Sequence, residues 1–277
     1  MTYNSETQKW AILPECPKER FSIAVVNGML TAIGGQSGRL TENDTKTLLS
    51  LTWQRKWTES FPPTTYYHNA PAVACTGTSL IVAGGWGPDE EQAPVEVMET
   101  DTLCWSTAAS LPHPWSRATA AICGDRMFMA GGTVKDGRTG LVLTCVVSEL
   151  LQSRSTATRR QSLESMPSAA LDLPPSTDSQ KVWKEASPLP VSSLVTLHGR
   201  LLGVGGCDLS YKDASAVYQY DSATNTWKVI SHMNTTRYHC FTAVLPDNTL
   251  LVAGGTVKEK ITEGIRHTDS VEIASCM

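Results

Sequence analysis

The chain has no surplus of basic residues: 23 Lys and Arg stand against 27 Asp and Glu, for a net charge of −4. A nucleic-acid-binding surface needs a basic patch, so no nucleic-acid partner is expected. No apolar run approaches the roughly 18 residues of a membrane-spanning helix. The start, MTYNSETQKW, lacks the apolar core of a secretory signal. No membrane partner and a cytoplasmic location are therefore expected. The eight cysteines (16, 75, 104, 123, 145, 207, 240 and 276) show neither a CxxC spacing nor a compact framework, so reduced, mostly buried thiols are expected. The six histidines form no HxH pair and there is no nucleophile motif, so no metal and no cofactor are expected. Two sequons, at Asn43 and Asn234, carry little weight without secretion.

What is present is a repeat. MLTAIGG ends at Gly35, SLIVAGG at Gly85, RMFMAGG at Gly132, RLLGVGG at Gly206 and TLLVAGG at Gly255. These second glycines lie 50, 47, 74 and 49 residues apart. A Trp accompanies each unit: Trp10, Trp57, Trp105, Trp183 and Trp227. Each unit reads as four strands. Strand a is a short apolar run such as FSIAVV or CFTAVL. A tight turn follows (Asn27-Gly28, Gly124-Asp125, His198-Gly199, Asp247-Asn248), in residues that accept positive φ. Strand b is the glycine-ended phrase, apolar enough for burial on both faces. Strand c is VEVME at 95–99, AVYQY at 216–220 and SVEIA at 270–274, and strand d starts at the Trp. The missing side chains of the glycine pair permit close backbone approach.

Paired glycines, an apolar strand c and a Trp, five times in phase, resemble the kelch family over nearly the whole chain. The resemblance implies an all-β fold: a β-propeller of five four-stranded blades in a single domain, residues 1–277. Kelch propellers usually have six or seven blades. The five units imply either a small ring or one piece of a longer propeller. The segments Tyr3–Trp10 and Tyr220–Trp227 align without gaps, and the chain stops after a strand c. These matched termini favour closure, with residues 9–13 supplying strand d to the C-terminal blade. The five strand-d tryptophans and the glycines Gly35, Gly85, Gly132, Gly206 and Gly255 are expected to be structural.

Residues 150–180 interrupt the third blade. The stretch is rich in Ser, Thr and Pro, so a disordered c–d loop is expected. Within it, Arg159-Arg160-Gln161-Ser162 makes Ser162 a candidate phosphorylation site.

Strand alternation puts the b–c and d–a loops on one face of the ring. Those loops are long and varied, as binding loops on a rigid scaffold are. By resemblance to kelch domains, residues after the glycine pairs and those opening strand a line a partner-binding mouth. Here these are Arg20, Gln36, Tyr66, Tyr67, His68, Trp86, Trp115, Arg117, Thr133, Arg237, Tyr238 and His239. TTYYHNAPAV and TTRYHCFTAV align letter by letter, which pairs Tyr67 with Tyr238 and His68 with His239. Trp86, Trp115, Tyr67 and Tyr238 are expected to divide between interface and inter-blade packing. The reading is a protein-interaction module, not an enzyme, for a protein or peptide partner of acidic character. The alternative is a small-molecule or metal-dependent enzyme of the oxidase, lyase or isomerase type, with its site at the channel mouth.

Overall fold

A computed structural model describes the chain except residues 1, 5, 8, 39–44, 88–90, 135–136, 139, 155–178, 190, 192, 207–214, 259–264, 269 and 275–277. Five antiparallel blades follow one another. Blade 1 has strands a to d at Ser22–Val26, Met29–Ile33, Leu48–Leu51 and Trp57–Phe61. Blade 2 has them at Ala72–Cys75, Ser79–Trp86, Glu91–Glu99 and Trp105–Ala108. Blade 3 uses Thr119–Cys123, Arg126–Ala130, Val142–Val146 and Lys184–Ala186. Blade 4 uses Ser193–Leu197, Arg200–Val204, Ala216–Asp221 and Thr226–His232. Blade 5 has a, b and c at Phe241–Val244, Leu250–Ala253 and Val271–Ala274. Two of the four expected a–b turns form with both residues at positive φ, Asn27-Gly28 and His198-Gly199; in the other two only Gly124 and Asn248 have it, and the blade 5 connection runs over five residues, 245–249.

The strand-d tryptophans join blade to blade. The Trp57 indole N–H donates to the Pro14 carbonyl (3.0 Å), Trp105 to Pro62 (2.8 Å), Trp183 to Ala109 (2.9 Å) and Trp227 to Ser187 (2.9 Å). Each acceptor lies four or five residues beyond the Trp of the preceding strand d. One side chain thus covers apolar surface and fixes the spacing of two blades. Strands a pack successively from blade 1 to blade 5 along the inner edge.

The expected closure is not formed. Lys9–Ala11 pairs with Thr2–Asn4, Trp10 opposite Tyr3, and no described strand pairs the outer edge of Val271–Ala274. The N-terminal hairpin repeats the c–d hairpin of blade 4. The Tyr3–Trp10 rings lie 5.1 Å apart and the equivalent Tyr220–Trp227 rings 4.9 Å. A ready hairpin partner thus competes for the strand that alignment assigned to blade 5. With no blade in front of it, Trp10 stays 41% exposed. Val25 on blade 1 (62%) and Phe241 on blade 5 (71%) are likewise uncovered.

Two further expectations need correcting. The third-blade insertion does not begin as a loop: Val147–Gln152 is a helix with Leu150 in the core. Residues 155–178, Ser162 included, lie outside the described residues, and a short helix at Ser179–Val182 ends the insertion. The described cysteines are free, but Cys75 and Cys104 are exposed, and only Cys145 and Cys240 are buried. Burial pushes those two thiols up to about 12 and about 11.

The glycine pair divides its work. A Cβ on Gly34 (φ +67°) would fall 1.7 Å from the His68 carbonyl of the next blade. A Cβ on Gly132 (φ +73°) would fall 2.3 Å from the Ser116 carbonyl of its own blade. Gly28 (φ +76°) has the same backbone need but open space around it. Gly28→Ala should therefore cost about 1 kcal/mol from backbone strain alone, and Gly34→Ala more than about 2 kcal/mol. Urea denaturation of both variants checks the difference; equal losses would contradict the inter-blade contact.

Candidate partner-binding mouth

Before strand a, the chain runs past the glycine pair and pairs with the residue just beyond it. Glu19 bridges to Gln36, Asn69 to Trp86 and Tyr238 to Thr256, and Ser116 pairs with Thr133. The residue before each of these points inward. Lys18 Nζ donates to the Gly34 carbonyl at 3.2 Å, and His68 Nδ1 lies 2.6 Å from the Gly84 carbonyl. Trp115 Nε1 donates to the Gly131 carbonyl at 2.8 Å, and Arg237 Nη1 to the Gly254 carbonyl at 3.0 Å. In each case the acceptor is the first glycine of the residue's own blade, 16 or 17 residues downstream. All four side chains are buried. In blade 4, Val191 takes this place: its carbonyl covers Gly131 as the His68 carbonyl covers Gly34.

This register corrects the letter-by-letter alignment by two residues: His68 matches Arg237, not His239. The partners agree. Glu96 of strand c accepts from the Thr65 and Tyr66 N–H groups at 2.9 Å each, and its carboxylate lies 3.0 Å from His68 Nε2. Glu272 accepts from the Asn234 and Thr235 N–H groups and from Arg237 Nη2 at 3.0 Å. The remaining Arg237 N–H groups reach Glu272, Ser270 and Gly254, so the buried guanidinium is fully paired. Lys18 is satisfied likewise, by Gly34 and by the Thr47 carbonyl and hydroxyl.

The expected mouth residues therefore fall into two sets. His68, Trp115 and Arg237 are fully buried inside the blades. Gln36 accepts from Asn69 Nδ2 at 2.6 Å, and Tyr67 packs under the Lys46 ammonium, 4.4 Å from its ring centre; both are buried. Arg20, Arg117 and His239 remain exposed, while Tyr66, Trp86, Thr133 and Tyr238 are half-buried.

The exposed set shares a backbone feature that the sequence did not announce. Arg20, Ala70, Arg117 and His239 all have φ between 54° and 56°, one in each of four blades. Non-glycine residues rarely hold this conformation unless the surroundings impose it. Blade-to-blade hydrogen bonds impose it here: the Ala70 N–H donates to the Arg20 carbonyl at 2.6 Å, and the Arg117 N–H to the Ala70 carbonyl at 2.8 Å. Beside this rim, the b–c connections of blades 3 and 5 carry small hairpins, Thr133–Val134 with Gly137–Arg138 and Thr256–Lys258 with Ile265–His267.

The arrangement offers cations and half-buried aromatic rings. It does not bring together the His and Tyr ligands of the enzyme alternative: both His68 ring nitrogens are engaged inside blade 2, and His239 is an exposed residue of blade 5. Among the described residues no group of three or more His, Cys, Asp and Glu is placed to hold a metal ion. No helix among them is long and apolar enough to cross a membrane.

Five blades in series, each with the glycine pair and the first four with a strand-d Trp, make this chain a five-bladed β-propeller. It is similar to the Kelch-like protein terF of Aspergillus terreus (strain NIH 2624 / FGSC A1156), with 28% identity over 153 residues. That match spans 53% of this chain and 32% of the relative, so the chain covers about a third of the relative's length. No family model matches the chain.

The Glu96–His68 pair predicts a pH dependence. Burial by itself raises the Glu96 pKa, but the His68 ring and the Tyr66 and Thr65 N–H groups outweigh it, and the carboxyl is held below its ordinary range. A depressed folded-state pKa stabilises the fold above the unfolded carboxylate pKa of about 4.3, and that stability is lost as pH falls through the folded value. Glu96→Gln should cost about 2–4 kcal/mol at pH 7. The gap to the parent should narrow as pH drops below about 4. Urea titrations across that range test this; a gap independent of pH would contradict it.

Proposed function

We propose that the chain is a protein-binding module whose partner presents an acidic segment to the mouth rim at Arg20, Arg117 and His239. The observation that carries this reading is the rim itself: the exposed, cationic Arg20 and Arg117 are held at fixed, conformationally strained positions by blade-to-blade hydrogen bonds, and exposed His239 shares their backbone conformation. Arg20 and Arg117 form no ion pair among the described residues. The other charged candidate, Arg237, is used up inside blade 5. Half-buried Trp86 and Tyr238 flank the rim and supply the contact area on which interface anchors depend. The Trp86 indole Nε1 is buried without a partner among the described residues. The likeness to a kelch-like protein supports an interaction role in general.

The test is affinity capture from cell extract with the parent chain and an Arg20→Ala/Arg117→Ala double variant, both checked for unchanged melting temperature. The captured partners should be lost from the double variant and released from the parent at raised salt. Recovery of the same partners by both chains would place binding elsewhere.

A further inference from the structure

Blade 5 has no strand d among the described residues, and a groove of about 360 Å³ stands in its place between blades 4 and 5. The other blades show what such a groove holds. Trp227, on strand d of blade 4, sits in an apolar cluster with Phe128 and Cys123 of blade 3 and with Tyr218 and Tyr220 of its own strand c. One blade further on, strand register puts Leu202 at the place of Phe128 and Leu197 at that of Cys123. It likewise puts Glu272 at the place of Tyr218 and Ala274 at that of Tyr220. All four line the groove. The acceptor position is there too. Blades 1 and 4 share a register shift in the c–d pairing, which matches His232 to Pro62, the residue whose carbonyl takes the Trp105 N–H. His232 lines the groove.

We infer that this groove is a docking slot for an extended segment of a partner protein. The segment adds as a fourth strand to the outer edge of Val271–Ala274 and places a tryptophan between Leu197, Leu202 and Ala274. Strand addition supplies main-chain hydrogen bonds, and the pocket supplies side-chain selection. The slot is continuous with an interface already built, because its floor residues Leu202 and Val252 belong to the buried cluster between blades 4 and 5. The chain's own strand-d segment is held elsewhere: it pairs with Thr2–Asn4, and its Ile12 and Pro14 carbonyls accept from Arg55 and Trp57 of blade 1.

A fluorescent peptide of residues 7–15, TQKWAILPE, is the natural probe, because it is the strand-d sequence that no four-stranded blade contains. Added in trans to the full chain, it should bind saturably with Kd below about 100 µM. The Trp10→Ala peptide should bind at least about tenfold more weakly. An Ala274→Arg chain, altered at an exposed position that fills the slot, should show the same loss at unchanged melting temperature. The Arg20→Ala/Arg117→Ala chain should bind the peptide normally, which separates this slot from the mouth. No binding at about 1 mM, equal binding of the Trp10→Ala peptide, or undiminished binding by Ala274→Arg would overturn the proposal. A self-associated chain that the peptide converts to monomer would overturn it as well, by assigning the slot to a second copy.

Discussion

The indole N–H of the strand-d tryptophan, donated to a carbonyl at the end of the preceding strand d, is the contact on which the rest of the propeller depends. A four-stranded blade has two apolar faces and cannot bury either alone. Apolar packing is non-directional, so it leaves two stacked sheets free to slide. An indole removes that freedom, because it fills the gap between blades and carries one donor that must be satisfied when buried. Three such bonds set the spacings of blades 1 to 4, and a fourth ties the N-terminal segment to blade 1.

At the inner edge the same problem has a different solution. Backbones converge too closely for side chains, so strand b ends in two glycines, and the first glycine's carbonyl needs a donor from outside the ladder. Lys18, His68, Trp115 and Arg237 supply it with four unlike side chains. Where the donor is cationic or titratable, a strand-c carboxylate, hydroxyl or carbonyl balances it, as Glu96 does for His68 and Glu272 for Arg237. This inner layer consumes charges that look available in the sequence. What remains for a partner is the next residue but one, Arg20, Arg117 or His239, turned outward by its left-handed backbone.

The repeat was legible because glycine and tryptophan have no substitutes in their roles: only glycine tolerates the approach at Gly34, and only tryptophan spans the gap and donates. The inner donors were not legible, because any residue with a long reach and an N–H serves. Matching TTYYHNAPAV to TTRYHCFTAV aligned identical letters and missed the two-residue offset set by the backbone bridges. The signal was a spacing, 16 or 17 residues before the first glycine, and not a residue type. For the same reason Arg237 read as a mouth cation. The closure failed for a local reason: Tyr3–Trp10 matches Tyr220–Trp227 along its whole length, and a segment that copies a c–d hairpin folds as one.

Hydrogen exchange at the indole nitrogens, followed by nitrogen-labelled NMR, reads the central contact directly. Slow exchange is expected for the Trp57, Trp105, Trp183 and Trp227 indole N–H groups and near-solvent exchange for Trp10, which carries the same sequence signature without a blade in front of it. Rapid exchange at the four, or protection of Trp10 equal to theirs, would contradict it.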